Sequence, residues 1–291
     1  VTAARSRSWS ADHVFISPGP MSDAFLVNVV APFLKGLDGA GDWFFIRYGE
    51  GGPHLRIRVA IDHSDVAARI HRRWQEAAPI HVDAFARALV LGTGEMIEPG
   101  SVRAVAYEPE IARYGGARAM PLSEQLFCRS TALSLGVIAA TLGDMEQRIG
   151  QAIGIMIASV RSLTDDPAEI GRLLSDYAEG WERWFAAVDW PAAIDTVPVT
   201  LRDPAAVEAA LHAPIGPSVR SYGAAWHGCL AALIQTLEAL DPPRPPAAGK
   251  ADIVLSHLHM FCNRLGISPA MEFHLARAIG GIVQHPQRGA S

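Results

Sequence analysis

Residues 42–61 constrain this chain more than any other stretch. Two runs of strand-like character, residues 42–48 and 54–61, flank the turn Gly49-Glu50-Gly51-Gly52, and a short glycine-rich connection between such runs predicts a hairpin. In the second run the side chains alternate, so Arg56 and Arg58 point opposite to Leu55, Ile57 and Val59. Taken alone, two arginines on one strand face describe an ordinary solvated surface. Arginine also presents a planar fork of donors that matches a carboxylate bidentately and stays charged at any physiological pH, so two forks from one strand can hold a di-acid.

The rest of the first third repeats this mixture of short elements. Residues 9–16 read as a strand, Ser17-Pro18-Gly19-Pro20 as a turn, and residues 22–34 as a helix opened by Ser22 or Asp23. Asp62-His63-Ser64-Asp65 offers caps for a helix over residues 66–77, and a further strand over residues 80–85 or 102–107 would complete a mixed sheet. From Ser123 onward the pattern changes to long amphipathic segments, which predict helices over 123–142, 145–163, 167–187, 205–212, 218–240, 250–265 and 269–284. The fold class is therefore α+β, with an N-terminal mixed β-sheet and its helices packed against a helical C-terminal half. Residues 1–291 are expected to form a single domain, sheet-rich over about 1–120 and helical over about 121–291. The proline-rich residues 241–249 read as an extended connector.

Composition narrows the function classes. An apolar fraction of 49% with 19% charged residues describes a chain able to bury a sizeable core. A net charge of −5 argues against a broad footprint for nucleic acid or for an anionic membrane. Cys128, Cys229 and Cys262 show no CxxC spacing and make no even set, so neither a disulfide framework nor a zinc site is indicated. Residues 1–12 lack the apolar run of a signal peptide, and no apolar window reaches the roughly 20 residues of a membrane span, so a cytoplasmic protein is expected.

Two further segments carry residues suited to chemistry. Arg113 precedes Tyr114-Gly115-Gly116, where glycines let the backbone turn tightly and bring the arginine toward a cleft; the bland alternative is a helix-terminal arginine before a glycine stop. In the helix predicted over 250–265, His259 and Asn263 share a face at i, i+4, while His257 and Arg264 share another at i, i+7. Histidines two apart on a helix diverge, so this pair is not a zinc site. A lone helical histidine is commonly structural, yet its unperturbed pKa suits proton transfer near neutrality. Gly92-Thr93-Gly94-Glu95 lacks the remainder of any phosphate-binding motif and reads as a turn. Trp181 and Trp184 read as core residues, and no GxSxG motif occurs.

Three segments, Gly52-Pro53-His54-Leu55-Arg56-Ile57-Arg58-Val59, Tyr107-Glu108-Pro109-Glu110-Ile111-Ala112-Arg113-Tyr114-Gly115-Gly116 and His257-Leu258-His259-Met260-Phe261-Cys262-Asn263-Arg264-Leu265-Gly266, taken in that order, resemble the C-terminal domain of lantibiotic dehydratases and its free-standing relatives from thiopeptide biosynthesis. The resemblance runs from Trp43-Phe44-Phe45-Ile46-Arg47 to the end of the chain, and more weakly through residues 9–32. It implies the second half of a tRNA-dependent dehydration. A transferase esterifies Ser or Thr of a precursor peptide with glutamate, and the elimination domain expels the glutamate to leave dehydroalanine or dehydrobutyrine.

By that resemblance Arg56, Arg58 and Arg113 align with arginines used for elimination, and His259 with an essential histidine. His54, Tyr114, Asn263 and Arg264 would line the substrate site. No cofactor and no metal are implied. The implied partners are the modified precursor peptide and a separate tRNA-dependent glutamyl transferase subunit, with no direct nucleic-acid or membrane contact and with a homodimer left open. One departure is Glu124-Gln125-Leu126-Phe127-Cys128-Arg129-Ser130, where Arg129 stands in place of an acid frequent in the family. Relatives on the same fold instead join two dehydroalanines in a formal aza-[4+2] cycloaddition that builds a pyridine. Those enzymes expel no glutamate and need not retain the arginines, so Arg56, Arg58, Arg113 and His259 together favour elimination. A third reading is a noncatalytic module that binds the precursor peptide.

Overall fold

The computed structural model describes residues 8–84, 97–188, 217–239 and 249–284. These residues belong to two compact units, one built from Val1–Pro109 with Glu124–Asp144 and the other from Glu110–Ser123 with Met145–Ser291.

The first unit holds a four-stranded sheet of β1 (Ser8–Phe15), β2 (Ala40–Tyr48), β3 (His54–Ile61) and β4 (Val102–Val105), in the spatial order β2-β3-β1-β4. The expected hairpin is β2 and β3. Every neighbouring pair is antiparallel, which corrects the mixed sheet expected from the sequence. The reason is topological: each helical crossover returns a strand parallel to its predecessor, but the strand of the other crossover lies between them. This is the split βαβ arrangement of ferredoxin-like folds. Of the two candidate positions for the last strand, residues 102–105 pair with β1, whereas Ala78–His81 forms a 3₁₀ turn.

The first crossover is one helical stretch in three parts, α1 (Pro20–Phe25), a π-helical turn (Leu26–Val30) and α2 (Ala31–Lys35). It begins at Pro20, whose missing N–H costs nothing at the first helical position, so neither Ser22 nor Asp23 acts as the cap. Their side chains are used otherwise: Arg47 donates to Ser22 Oγ at 2.5 Å and to Asp23 Oδ1 at 2.6 Å. The second crossover is α3 (Ser64–Ala77), preceded by His63 with no side-chain capping bond. Val14, Phe45, Leu55, Ile57 and Val59 from the sheet meet Phe25, Leu26, Ile70 and Trp74 from the helices in one apolar core.

The remaining helices are α4 (Met120–Ala140), α5 (Met145–Arg161), α6 (Pro167–Ala187), α7 (Pro217–Ala239), α8 (Lys250–Leu265) and α9 (Pro269–Gln284). Three of these, α6, α8 and α9, have the bounds expected from the sequence; α6 opens with Asp166 accepting the Ala168 N–H at 3.0 Å. In the second unit, Trp226 on α7 donates to Ser159 Oγ on α5 at 2.9 Å, and Gly280 of α9 brings its backbone close to Gly171 of α6. The expected helix over residues 205–212, the turn at Gly92-Thr93-Gly94-Glu95 and residues 241–248 of the connector lie outside the described residues. Among the described residues no helix is long and apolar enough to cross a membrane.

Candidate functional site

The strand register sorts the sheet's side chains into two faces. Opposite the helix-packed face, one cross-strand row reads Ile46, Arg56, His13, Arg103, and the next reads Phe44, Arg58, Ala11, Val105. Arg56, Arg58 and Arg103 thus share one face of the sheet, and a cluster of like charges favours a compensating anion. The exposed Glu50 carboxylate comes within 3.7 Å of Arg56.

Arg56 is held from two sides. Its Nε donates to His54 Nε2 at 3.2 Å, and its guanidinium carbon lies 3.4 Å from the centre of the Tyr48 ring. His54 Nδ1 in turn donates to the Gly52 carbonyl at 2.8 Å, so His54 is a neutral imidazole that orients Arg56. Only 4% of His54 is exposed. Burial lowers its pKa, and the neighbouring arginines act in the same direction. Arg58 lies against the touching rings of Phe44 and Tyr107, 5.6 and 5.5 Å from their centres, and donates to the Arg56 carbonyl at 3.3 Å. His13 stacks on His54 with centroids 4.9 Å apart. Burial, followed by the fields of Arg56, His54, Arg58 and Arg103, pushes His13 down to about 4. At neutral pH the positive charge of this face therefore resides on guanidinium groups.

The second unit gathers the other expected residues around α8. Gly115 and Gly116 have φ of 86° and 94°, and Gly116 N–H closes on the Ile111 carbonyl at 2.9 Å. The tight turn read from the sequence is present, and it directs Arg113 to α8, where Nε donates to Ser256 Oγ at 3.2 Å. Arg113 also pairs with Glu110 at 3.1 Å. Tyr114 is buried with its ring 4.9 Å from that of His257, and burial pushes its hydroxyl up to about 12.

His257 is 1% exposed, with Nε2 3.2 Å from Ser123 Oγ. Burial first, then Arg264 and Arg113, push it down to about 3, so it is a neutral core histidine beside two guanidiniums. Arg264 is equally buried and donates to the Met260 carbonyl at 2.9 Å, while Asn263 is half-buried in the last turn. The helix ends at Gly266, whose φ of 77° lets Ile267 N–H reach back to the Cys262 carbonyl at 3.0 Å.

His259 faces elsewhere. Its Nδ1 lies 3.1 and 3.2 Å from the two carboxylate oxygens of Glu272 on α9, and the hydroxyl of Tyr177 on α6 donates to Glu272 Oε2 at 2.5 Å. The Trp181 ring meets the imidazole edge-on at 4.9 Å. Glu272 is 0% exposed, whereas 16% of the His259 side chain reaches solvent. Burial raises the Glu272 pKa, and His259 and the Tyr177 hydroxyl oppose that rise. Among the described residues no group of three or more His, Cys, Asp or Glu is placed to hold a metal ion.

A family model described as the lantibiotic biosynthesis dehydratase C-term matches residues 9–282. The chain belongs to that family. Among solved structures it is similar to the pyridine synthase TbtD from thiomuracin biosynthesis, at 19% identity and a TM-score of 0.64, over 98% of this chain and 100% of that one. It is similar to TsrL at 19% identity and a TM-score of 0.56, over 97% and 100% of the two chains. The tRNA-dependent lantibiotic dehydratase MibB from Microbispora sp. 107891 matches at 21% identity and a TM-score of 0.51, over 99% of this chain and 29% of MibB. At these identities the likeness to the solved structures is one of fold. No curated protein matches this chain.

In this member of the dehydratase C-terminal family, each of the two clusters includes residues that the sequence reading passed over. Glu272 carries the clearest signal. It is in helical register with Leu275, Ala276 and Ile279, all fully buried, so a carboxylate sits where the pattern demands an apolar side chain. His13 and Arg103 become visible only through the strand register, which joins positions far apart in the chain. The tryptophans also differ from expectation. Trp184 is 40% exposed because it lies on the outer side of α6, and Trp181 packs against His259.

Proposed function

We propose that this protein eliminates glutamate from glutamylated Ser or Thr residues of a ribosomal precursor peptide, leaving dehydroalanine or dehydrobutyrine. The observation that carries this reading is the outward row of the sheet. Arg56 is pre-oriented by His54 and Tyr48, and Arg58 lies beside it against two aromatic rings. Oriented guanidiniums flanked by neutral imidazoles suit a carboxylate-bearing adduct and the carboxylate born when the ester oxygen leaves. In this reading Arg56, Arg58 and Arg113 bind those carboxylates, and His259 performs proton transfer. His54 acts through Arg56, while Tyr114, Asn263 and Arg264 shape the surroundings of α8. The substrate comes from a tRNA-dependent glutamyl transferase partner.

Membership in a family of dehydratase C-terminal domains supports a lyase. A second reading, pyridine formation from two dehydroalanines, draws support from the full-length match to TbtD. Mass spectrometry of a glutamylated Ser/Thr peptide before and after incubation with the purified protein separates the two. Loss of each glutamyl group with formation of a dehydro residue, abolished in Arg58→Ala and His259→Ala, is the expected result. Adducts that persist while the peptide binds would exclude elimination, and a dehydroalanine-containing peptide then tests the second reading.

A further inference from the structure

The partly buried imidazole of His259 is anchored to a carboxylate that has no contact with solvent, and that carboxylate is itself anchored by a phenol. Burying a carboxylate is costly unless its lone pairs are occupied, and Glu272 has both oxygens within reach of His259 Nδ1 and one bonded to Tyr177. An acid kept at 0% exposure in register with Leu275, Ala276 and Ile279 would be replaced by an aliphatic residue if packing were its only task.

The geometry also fixes which nitrogen of the imidazole faces the carboxylate. A carboxylate only accepts, so Nδ1 carries the proton that it receives, and Nε2 is the nitrogen left to face a substrate. Among the described residues Nε2 has no protein partner. The Trp181 edge limits rotation of the ring on one side. A neutral imidazole oriented this way presents the Nε2 lone pair as its only basic site.

We propose that Glu272, braced by Tyr177, is a positioning residue that holds His259 in its Nδ1–H form and makes Nε2 the base that removes the Cα proton. This rests on the elimination reading. The Cα–H bond breaks as its proton moves to Nε2, its electron pair forms the Cα=Cβ bond, and the Cβ–O bond breaks with its pair leaving on the glutamate carboxylate. The imidazolium so formed is stabilised across the Nδ1–H contact by the negative charge of Glu272. Proton transfer then returns Nε2 to its starting state by release to water.

The test combines a structural and a kinetic readout on the full chain. In protein labelled with ¹⁵N-histidine, with His259→Gln used to assign the signal, the wild type should show Nδ1 protonated and Nε2 bare. Tyr177→Phe/Glu272→Leu exchanges the buried polar pair for apolar groups of similar size, and should fold while giving a mixture of tautomers. Its kcat for elimination from a synthetic glutamylated peptide should fall about a hundredfold, with KM within about twofold of wild type. Tyr177→Phe alone should lower kcat by a smaller factor in the same direction, and decides the matter if the double variant fails to fold.

A double variant with the wild-type tautomer and wild-type kcat overturns the inference. If Arg58→Ala abolishes elimination while that double variant does not slow it, the elimination reading stands and the role of Glu272 falls. If the wild type eliminates nothing, the reading falls, and the tautomer measurement still decides whether Glu272 positions His259.

Discussion

The guanidinium carbon of Arg56 lies 3.4 Å from the centre of the Tyr48 ring, on the strand that neighbours its own. A cation over an aromatic face gains about 0.5–2 kcal/mol, depending on how far it is desolvated. The ring, not the hydroxyl, makes this contact. Tyr48→Phe should therefore keep KM for the glutamylated peptide near wild type, while Tyr48→Leu should raise it by roughly 2- to 30-fold with little change in kcat. Steady-state kinetics on both variants checks this, and an equal loss in Tyr48→Phe would assign the effect to the hydroxyl.

Arg58 makes a sharper test of charge against shape. Lysine keeps the positive charge but replaces a planar fork with a point charge, and it lacks the delocalised plane that the guanidinium presents to Phe44 and Tyr107. Arg58→Lys should lower kcat/KM about 10- to 100-fold, and Arg58→Ala further still. If lysine restores full activity, the site requires only a field.

The strand alternation made the arginine face legible, because a period of two assigns every residue from Leu55 to Val59 to a side without knowledge of the partner strands. The long helices were legible for the same kind of reason. Which strands are neighbours is a nonlocal fact, so the antiparallel order and the arrival of His13 and Arg103 beside Arg56 had no local signature. His257 and His259 show the same limit on a helix. Their separation by two residues guaranteed different surroundings, but only tertiary packing makes one a buried neutral side chain and gives the other a carboxylate. Glu272 was readable in principle, as an acid on an otherwise apolar stripe.

Gly115 is the position where backbone freedom matters most to the placement of Arg113 and Tyr114. At φ 86° a side chain is strained, and an added Cβ would lie 3.0 Å from Ile253 Cδ1 and 3.2 Å from Ala119 Cβ. Gly116 has φ 94° but open space around it. Gly115→Ala should cost about 1–3 kcal/mol and lower elimination activity as Arg113 shifts. Gly116→Ala should cost less, since only the conformational strain applies. Thermal denaturation of both variants, with activity measured well below the transition, distinguishes the two outcomes.

His257 predicts a pH dependence of stability with a definite sign. Its pKa falls from 6.5 in the unfolded chain to about 3 in the folded protein, so between those values the unfolded state binds more protons. Stability contributed by the neutral ring is therefore present above pH 6.5 and is lost as the pH falls toward 3. Between pH 7 and pH 5 this one group should remove about 2 kcal/mol. His257→Gln preserves a hydrogen-bonding side chain beside Ser123 without a titrating ring, so its urea midpoint should fall less over that interval than that of the wild type. Equal falls in the two proteins would mean that His257 is not held neutral by burial and by the guanidiniums of Arg264 and Arg113.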